Sequence, residues 1–201
     1  MALYDLIISR RTIRQFRRTP VGREVLEKIV NAARLSPSAA NLQPLEFVAV
    51  DEEGVCQGIF PCLRWAAYIA PRGNPRPGQE PAAYVVVLVN QDIRKDMFEY
   101  DVGAAVENMI LAALEVGIGA CWLISIEREK IADLLHVPGG FRVDSVLALG
   151  YPAEQPLTEE FGVSAKYWKD ESGVLHVPKR SLDKILHFNS YGLRSSGNLR
   201  R

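Results

Sequence analysis

Cysteine and histidine are scarce in this chain, three of each among 201 residues. Cys56, Cys62 and Cys121 are too few and too unevenly spaced for a disulfide framework, and with so few histidines as co-ligands they match no zinc or iron–sulfur pattern. Free thiols in a reducing compartment are the simpler account. Nor is there an excess of either charge. Lys plus Arg and Asp plus Glu each number 24, so no global field argues for nucleic acid or an anionic membrane. The opening Met1-Ala2-Leu3-Tyr4-Asp5 carries an acid and lacks a signal peptide's basic start and long apolar core. The longest apolar-rich helical pattern carries Glu107, Asn108 and Glu115, which argues against a membrane span. Catalytic signatures are missing too: no HExxH, no G-x-S-x-G, no G-x-x-x-x-G-K-[ST] and no Cys–His pair close in sequence. A triad assembled from distant residues is left open, but nothing marks one. These absences suit a cytoplasmic protein with no metal and no catalytic side chain of its own, its hard chemistry carried by a cofactor.

What the chain does have is ordinary bulk and uneven local charge. Its 48% hydrophobic and 24% charged residues fit one globular domain with a substantial core. From Ile7 to Gly22 there are five arginines and no acid. That cluster suits a phosphate or a carboxylate-rich partner; a solvated basic turn is the plainer alternative. The motif Ser9-Arg10-Arg11-Thr12-Ile13-Arg14 is followed by an amphipathic helix, Glu24 to Leu35, with Val25, Leu26, Ile29, Val30 and Ala33 on one stripe. The stretch Ser36-Pro37-Ser38-Ala39-Ala40-Asn41-Leu42-Gln43-Pro44 comes next, with two carboxamides and small residues that let a ligand approach the backbone. Guanidinium groups bind phosphate bidentately, and amides suit a flat heterocycle edged with donors and acceptors. Flavin mononucleotide (FMN) has that shape.

The remaining elements read in order. Ala2 to Ile8 is a short helix, Gly22 an N-cap and Phe47 to Val50 a strand. Residues 55–81 begin as a helix, Val55 to Ala70, and end in Pro71 to Pro81, where four prolines and two glycines exclude regular structure. This segment is either a surface loop or a lid insertion, with Trp65 and Tyr68 walling a substrate pocket. Tyr84 to Val89 is a strand buried on both faces. A long helix, Met97 to Val116, is apolar nearly all round, which suits a dimer interface first and a core second. A strand follows at Ala120 to Ile124. The helix Ile126 to Leu135 has Ser125 as its candidate N-cap, and Val143 to Leu149 is the last strong strand. Residues 153–201 are loop-rich, with a short helix near Ser181 to Phe188. They read as an extended C-terminal arm of a single domain spanning 1–201.

Arg10-Arg11-Thr12-x-Arg14 and Pro37-Ser38-x-x-Asn41-x-Gln43-Pro44 resemble the N-terminal signature of the nitroreductase family of FMN-dependent oxidoreductases. The resemblance continues through Asp101-Val102-Gly103-Ala104-Ala105-Val106-Glu107-Asn108-Met109 and Gly117-Ile118-Gly119-Ala120-Cys121-Trp122. It returns at Gly150-Tyr151-Pro152 and Pro178-Lys179-Arg180. It implies an α+β fold, with a central, mostly antiparallel sheet flanked by helices, in an intertwined homodimer holding FMN at the subunit interface.

By the same resemblance, Arg10, Arg11, Thr12 and Arg14 hold the phosphate and ribityl end, with Lys179 and Arg180 adding charge. Pro37, Ser38 and Ala39 line the isoalloxazine from the partner subunit, with Asn41 and Gln43 near the ring; Gln43 equally suits a backbone-bonding role in the fold. Leu123, Ile124 and Ser125 bring a backbone N–H to the flavin N5. The implied reaction is ping-pong hydride transfer from NAD(P)H to a flat acceptor such as a quinone or nitroaromatic. A flavin-binding protein that does not turn over NAD(P)H (a carrier, or a flavin-consuming or dehalogenating enzyme) is the alternative on this scaffold, and a flavin-free dimeric module with another anionic ligand is a third. Three positions depart from the pattern. Thr12 stands where serine is usual, Leu45 where an aromatic often follows, and Ser125 where glycine is common.

Overall fold

In a computed structural model that describes residues 2–193, the chain forms an α+β fold divided into two units, Met1–Gln155 and Pro156–Arg201. The first holds five helices: α1 (Leu3–Ser9), α2 (Arg23–Arg34), α3 (Glu53–Ile59), α4 (Glu99–Glu115) and α5 (Arg128–Leu134). Its four strands are β1 (Leu45–Val50), β2 (Ala83–Asn90), β3 (Gly119–Leu123) and β4 (Phe141–Gly150). They pair in the order β1-β2-β4-β3, antiparallel throughout.

Alternation along the strands sends side chains to two cores. Val85, Val87 and Val89 of β2 pack with Leu147 and Leu149 of β4 against Leu26 and Ile29 of α2 and Val102, Val106 and Met109 of α4. Tyr84, Val86 and Leu88 face the other way, toward Cys56 and Ile59 of α3, Leu123 of β3 and Ile131 of α5. The unbroken apolar run of β2 follows from cover on both faces. Complete burial of each such valine is worth about 1.5–3 kcal/mol.

Several local expectations are corrected. The helix expected over Val55–Ala70 stops at Ile59 and continues as 3-10 turns at Phe60–Cys62 and Ala67–Ile69, because Pro61 has no N–H to extend the ladder. Glu127, rather than Ser125, is the residue before α5, and the Ser125 carbonyl instead accepts from the Arg64 N–H at 3.0 Å. One face of α4 lies in its own chain's core, while Glu107 and Glu115 stay exposed.

Among its described residues the Pro156–Arg201 unit carries a small sheet as well as loops. Its strands β5 (Leu157–Glu160), β6 (Trp168–Lys169) and β7 (Leu175–Lys179) form a sheet in the order β5-β7-β6. The helix expected at Ser181–Phe188 is a single 3-10 turn, Leu182–Lys184. Within this unit Trp168 stacks on His176, whose ring nitrogens lie 3.2 and 3.3 Å from Glu159 and Asp170. Positions 194–201 of the expected arm lie outside the described residues.

Candidate functional site

The arginine segment leaves α1 in extended form and runs along the free side of β3. Thr12 makes a parallel bridge to Ala120, and the Ile13 N–H donates to the Ala120 carbonyl at 2.9 Å. On its other side Phe16 bridges Pro152, and the Arg17 N–H donates to the Tyr151 carbonyl. The approach is close because Gly119 and Gly150 have no side chains. A Cβ at Gly119 would lie 2.8 Å from Ile13 Cγ1, and one at Gly150 would lie 2.9 Å from the Phe16 ring. Glycine here is a packing requirement.

The segment concentrates positive charge. Arg10 is half-buried, with its Nε 3.7 Å from Glu107 of α4. Arg11 donates to the Ile8 carbonyl at 2.9 Å. Burial, with Arg10 beside it, pushes the Arg11 pKa below the usual guanidinium value. An anion seated against the pair offsets both penalties, so the donor set fits a phosphate. Arg14 is set lower. Its N–H donates to Glu154, and its cation pulls against the burial that lifts the Cys121 thiol to about 11.

The second motif forms a tight loop after α2. Ala40, Asn41 and Gln43 all take left-handed backbone conformations, with φ of 53°, 55° and 50°. Such geometry costs roughly 1–2 kcal/mol per non-glycine residue and persists only where surroundings enforce it. The enforcing group is Asp101, 4% exposed in the first turn of α4. Its carboxylate accepts from Ser38 Oγ at 2.9 Å and from the Ala39 N–H at 3.1 Å, with Arg94 at 3.6 Å. Ser38 Oγ accepts in turn from the Gln43 N–H at 3.0 Å, and Gln43 Nε2 donates to the Asn41 carbonyl. Pro37, Ser38, Gln43 and Asp101 border a cavity of about 350 Å³ that Val30, Arg34 and Phe47 complete.

One helix therefore anchors both motifs, Asp101 holding the loop and Glu107 facing Arg10, about 9 Å apart along the axis of α4. Leu123 is buried at the end of β3; Ile124 and Ser125 are exposed just beyond it. Trp65 is half-buried against Phe60, ring centroids 5.8 Å apart, and Tyr68 is exposed. Lys179 and Arg180 belong to the second unit, both exposed, with Arg180 donating to the Lys184 carbonyl at 2.9 Å. Residue patterns gave no role to Asp101, Arg94 or Glu154. Asp101 stood only as the first residue of a resembling motif, with no role attached to it. Among the described residues no group of His, Cys, Asp and Glu is arranged to hold a metal, and no helix is long and apolar enough to cross a membrane.

The nitroreductase family model matches residues 7–151, which include the arginine segment, the Asp101-held loop and all of the four-stranded sheet. The chain belongs to the nitroreductase family. A protein from Archaeoglobus fulgidus, provisionally named NADH dehydrogenase/NAD(P)H nitroreductase, is 34% identical over 75% of this chain and 85% of its own length. A Rhodospirillum rubrum relative named 5,6-dimethylbenzimidazole synthase is 25% identical over 75% of this chain and 82% of its own. Among solved structures, an FMN-dependent nitroreductase from Clostridium difficile R20291 superposes with a TM-score of 0.66 at 24% identity, covering 92% of this chain and 98% of that one. At that identity the likeness establishes the shared nitroreductase fold.

Proposed function

We propose that this nitroreductase-family protein is a cytoplasmic FMN-dependent oxidoreductase that takes hydride from NAD(P)H and delivers it, by a ping-pong cycle, to a flat acceptor such as a quinone or nitroaromatic. The observation that carries the reading is the Arg10–Arg11 pair, half-buried, mutually repelling and set directly before the Thr12 bridge to β3 within the family-matched region. When bound, FMN supplies the hydride-accepting chemistry, which leaves binding, orientation and electrostatics to the chain. Arg10, Arg11, Thr12 and Arg14 hold the phosphate and ribityl end with charge-assisted bonds. Pro37, Ser38 and Ala39, fixed by Asp101, line the ring of the partner subunit's site, with Asn41 and Gln43 beside it. Leu123, Ile124 and Ser125 offer backbone N–H groups where strand pairing ends. Residues 55–81 act as a lid with Trp65 and Tyr68 toward the acceptor, and 153–201 act as an arm in a homodimer.

The test is the visible absorption spectrum of the purified protein, before and after anaerobic NAD(P)H, beside that of an Arg10→Ala, Arg14→Ala double variant. The expected result is a flavin spectrum that bleaches, and a dialysed double variant without colour, since each charge-assisted bond is worth about 1.5–3 kcal/mol. A colourless native protein that refuses added FMN overturns the reading. The alternative on the same scaffold is a flavin-binding protein that does not turn over NAD(P)H; a bound flavin that stays oxidised is its signature.

A further inference from the structure

Residues 71–81 have no regular structure, yet their backbone is fastened. Gln15 follows Arg14 directly and is only 4% exposed. Both ends of its carboxamide are spent on this loop: Nε2 donates to the Asn74 carbonyl at 2.9 Å, and the Arg76 N–H donates to Oε1 at 2.9 Å. The side chain thus imitates a strand partner across the buried Pro75. The next residue repeats the attachment, the Phe16 N–H donating to the Gln79 carbonyl at 3.0 Å. On the other side, the Gln15 carbonyl accepts from the Ala153 N–H at 2.8 Å. The near end of the same segment is fastened elsewhere. Leu63 bridges Ile126, and the Arg64 N–H reaches the Ser125 carbonyl. Between these anchors Ala67, Tyr68, Ala70, Pro71 and Arg72 are exposed.

We infer that Gln15 is a positioning residue for the acceptor side of the site: it ties the far end of the 65–72 strap to the arginine segment, while Ser125 ties the near end. The strap runs from just beyond β3 to the residue after Arg14, so it is held at two fixed points. A buried carboxamide with both groups engaged resists replacement, because removing it leaves the Arg76 N–H and the Asn74 carbonyl without their partner. The acceptor consequence rests on the proposed flavin reading; the anchoring does not.

Two substitutions test it on the full-length protein by hydrogen–deuterium exchange. Gln15→Met keeps the volume and removes both bonds. Exchange of the Asn74–Gln79 amides is expected to rise on the order of tenfold, as loss of a buried hydrogen bond implies, while amides of β2 and β4 keep their protection. Gln15→Glu keeps the acceptor for Arg76 and is expected to retain most of the protection at that amide. In turnover with a quinone, Gln15→Met should raise the acceptor KM with kcat and FMN content near those of the native protein. Unchanged exchange at Asn74–Gln79 in a folded Gln15→Met variant overturns the anchoring. Raised exchange with an unaltered acceptor KM overturns the positioning role. A protein that binds no flavin at all overturns the functional reading and leaves the exchange result standing by itself.

Discussion

Asp101 shows how one side chain can set the shape of a site it does not line alone. Its carboxylate is nearly sealed from solvent and carries a hydroxyl, a backbone N–H and a guanidinium. Sequence reading marked the residue as the head of a resembling motif but not its role, because an acid in the first turn of a helix serves the helix dipole equally well. The arginines were legible for the opposite reason: five cations without an acid form a surplus that needs no structure to see. The cysteines give a test at the same scale. Burial lifts Cys56 and Cys121 to about 11 and pushes Cys62 up as well. In the unfolded chain a thiol titrates near about 8.5, so the unfolded state loses its protons first. The resulting stability is complete below that pH and is lost as the pH rises through the folded value, by up to about 1.4 kcal/mol per pH unit for Cys121 and less for the less enclosed Cys56. Urea midpoints should hold steady from neutral pH to about 8.5 and fall beyond it. A Cys56→Ala, Cys121→Ala variant should fall less steeply, and identical slopes for the two proteins count against the thiols.

At the scale of elements, periodicity located every helix and strand of the Met1–Gln155 unit that carries a core. It failed where backbone chemistry outranks pattern, as at Pro61, and in the second unit, where short strands pair without a long apolar stripe. The meeting of separate elements was not legible. Nothing in G-x-G at 117–119 announced that Ile13 would rest against the missing side chain of Gly119. Gly119→Ala places a methyl 2.8 Å from Ile13 Cγ1 and 3.0 Å from Pro152 Cγ, and overpacking of this kind costs about 1–3 kcal/mol. Because Ile13 lies between Thr12 and Arg14, the displacement should also weaken FMN binding severalfold, read by flavin fluorescence quenching. A variant that loses stability yet binds FMN as before would show that the close approach serves packing alone.

For the whole molecule, the proposed assembly assigns the Asp101-held loop of one subunit to the flavin of the other. That requires two copies, so sedimentation equilibrium of the flavin-bound protein should give twice the chain mass of 22.4 kDa. A single-chain mass with flavin bound would confine the site to one subunit and remove the partner's Pro37–Ala39 from it. The family, the α+β class and the antiparallel sheet were all legible from ordered motifs spread along the chain. The assignment of functions to subunits came only from resemblance, since no periodicity distinguishes a face that meets its own chain from one that meets another copy.

The bridge from Thr12 to Ala120 has a second meaning. A sheet whose last strand is left bare is a template on which another molecule can add its own backbone. Here that rim is met at Ala120 by the stretch that also carries the cations, so partial shielding against stacking and, on the proposed reading, recognition of an anion fall to the same few residues. Cutting them away would, on that reading, remove the anion site and bare the edge of β3 in one stroke.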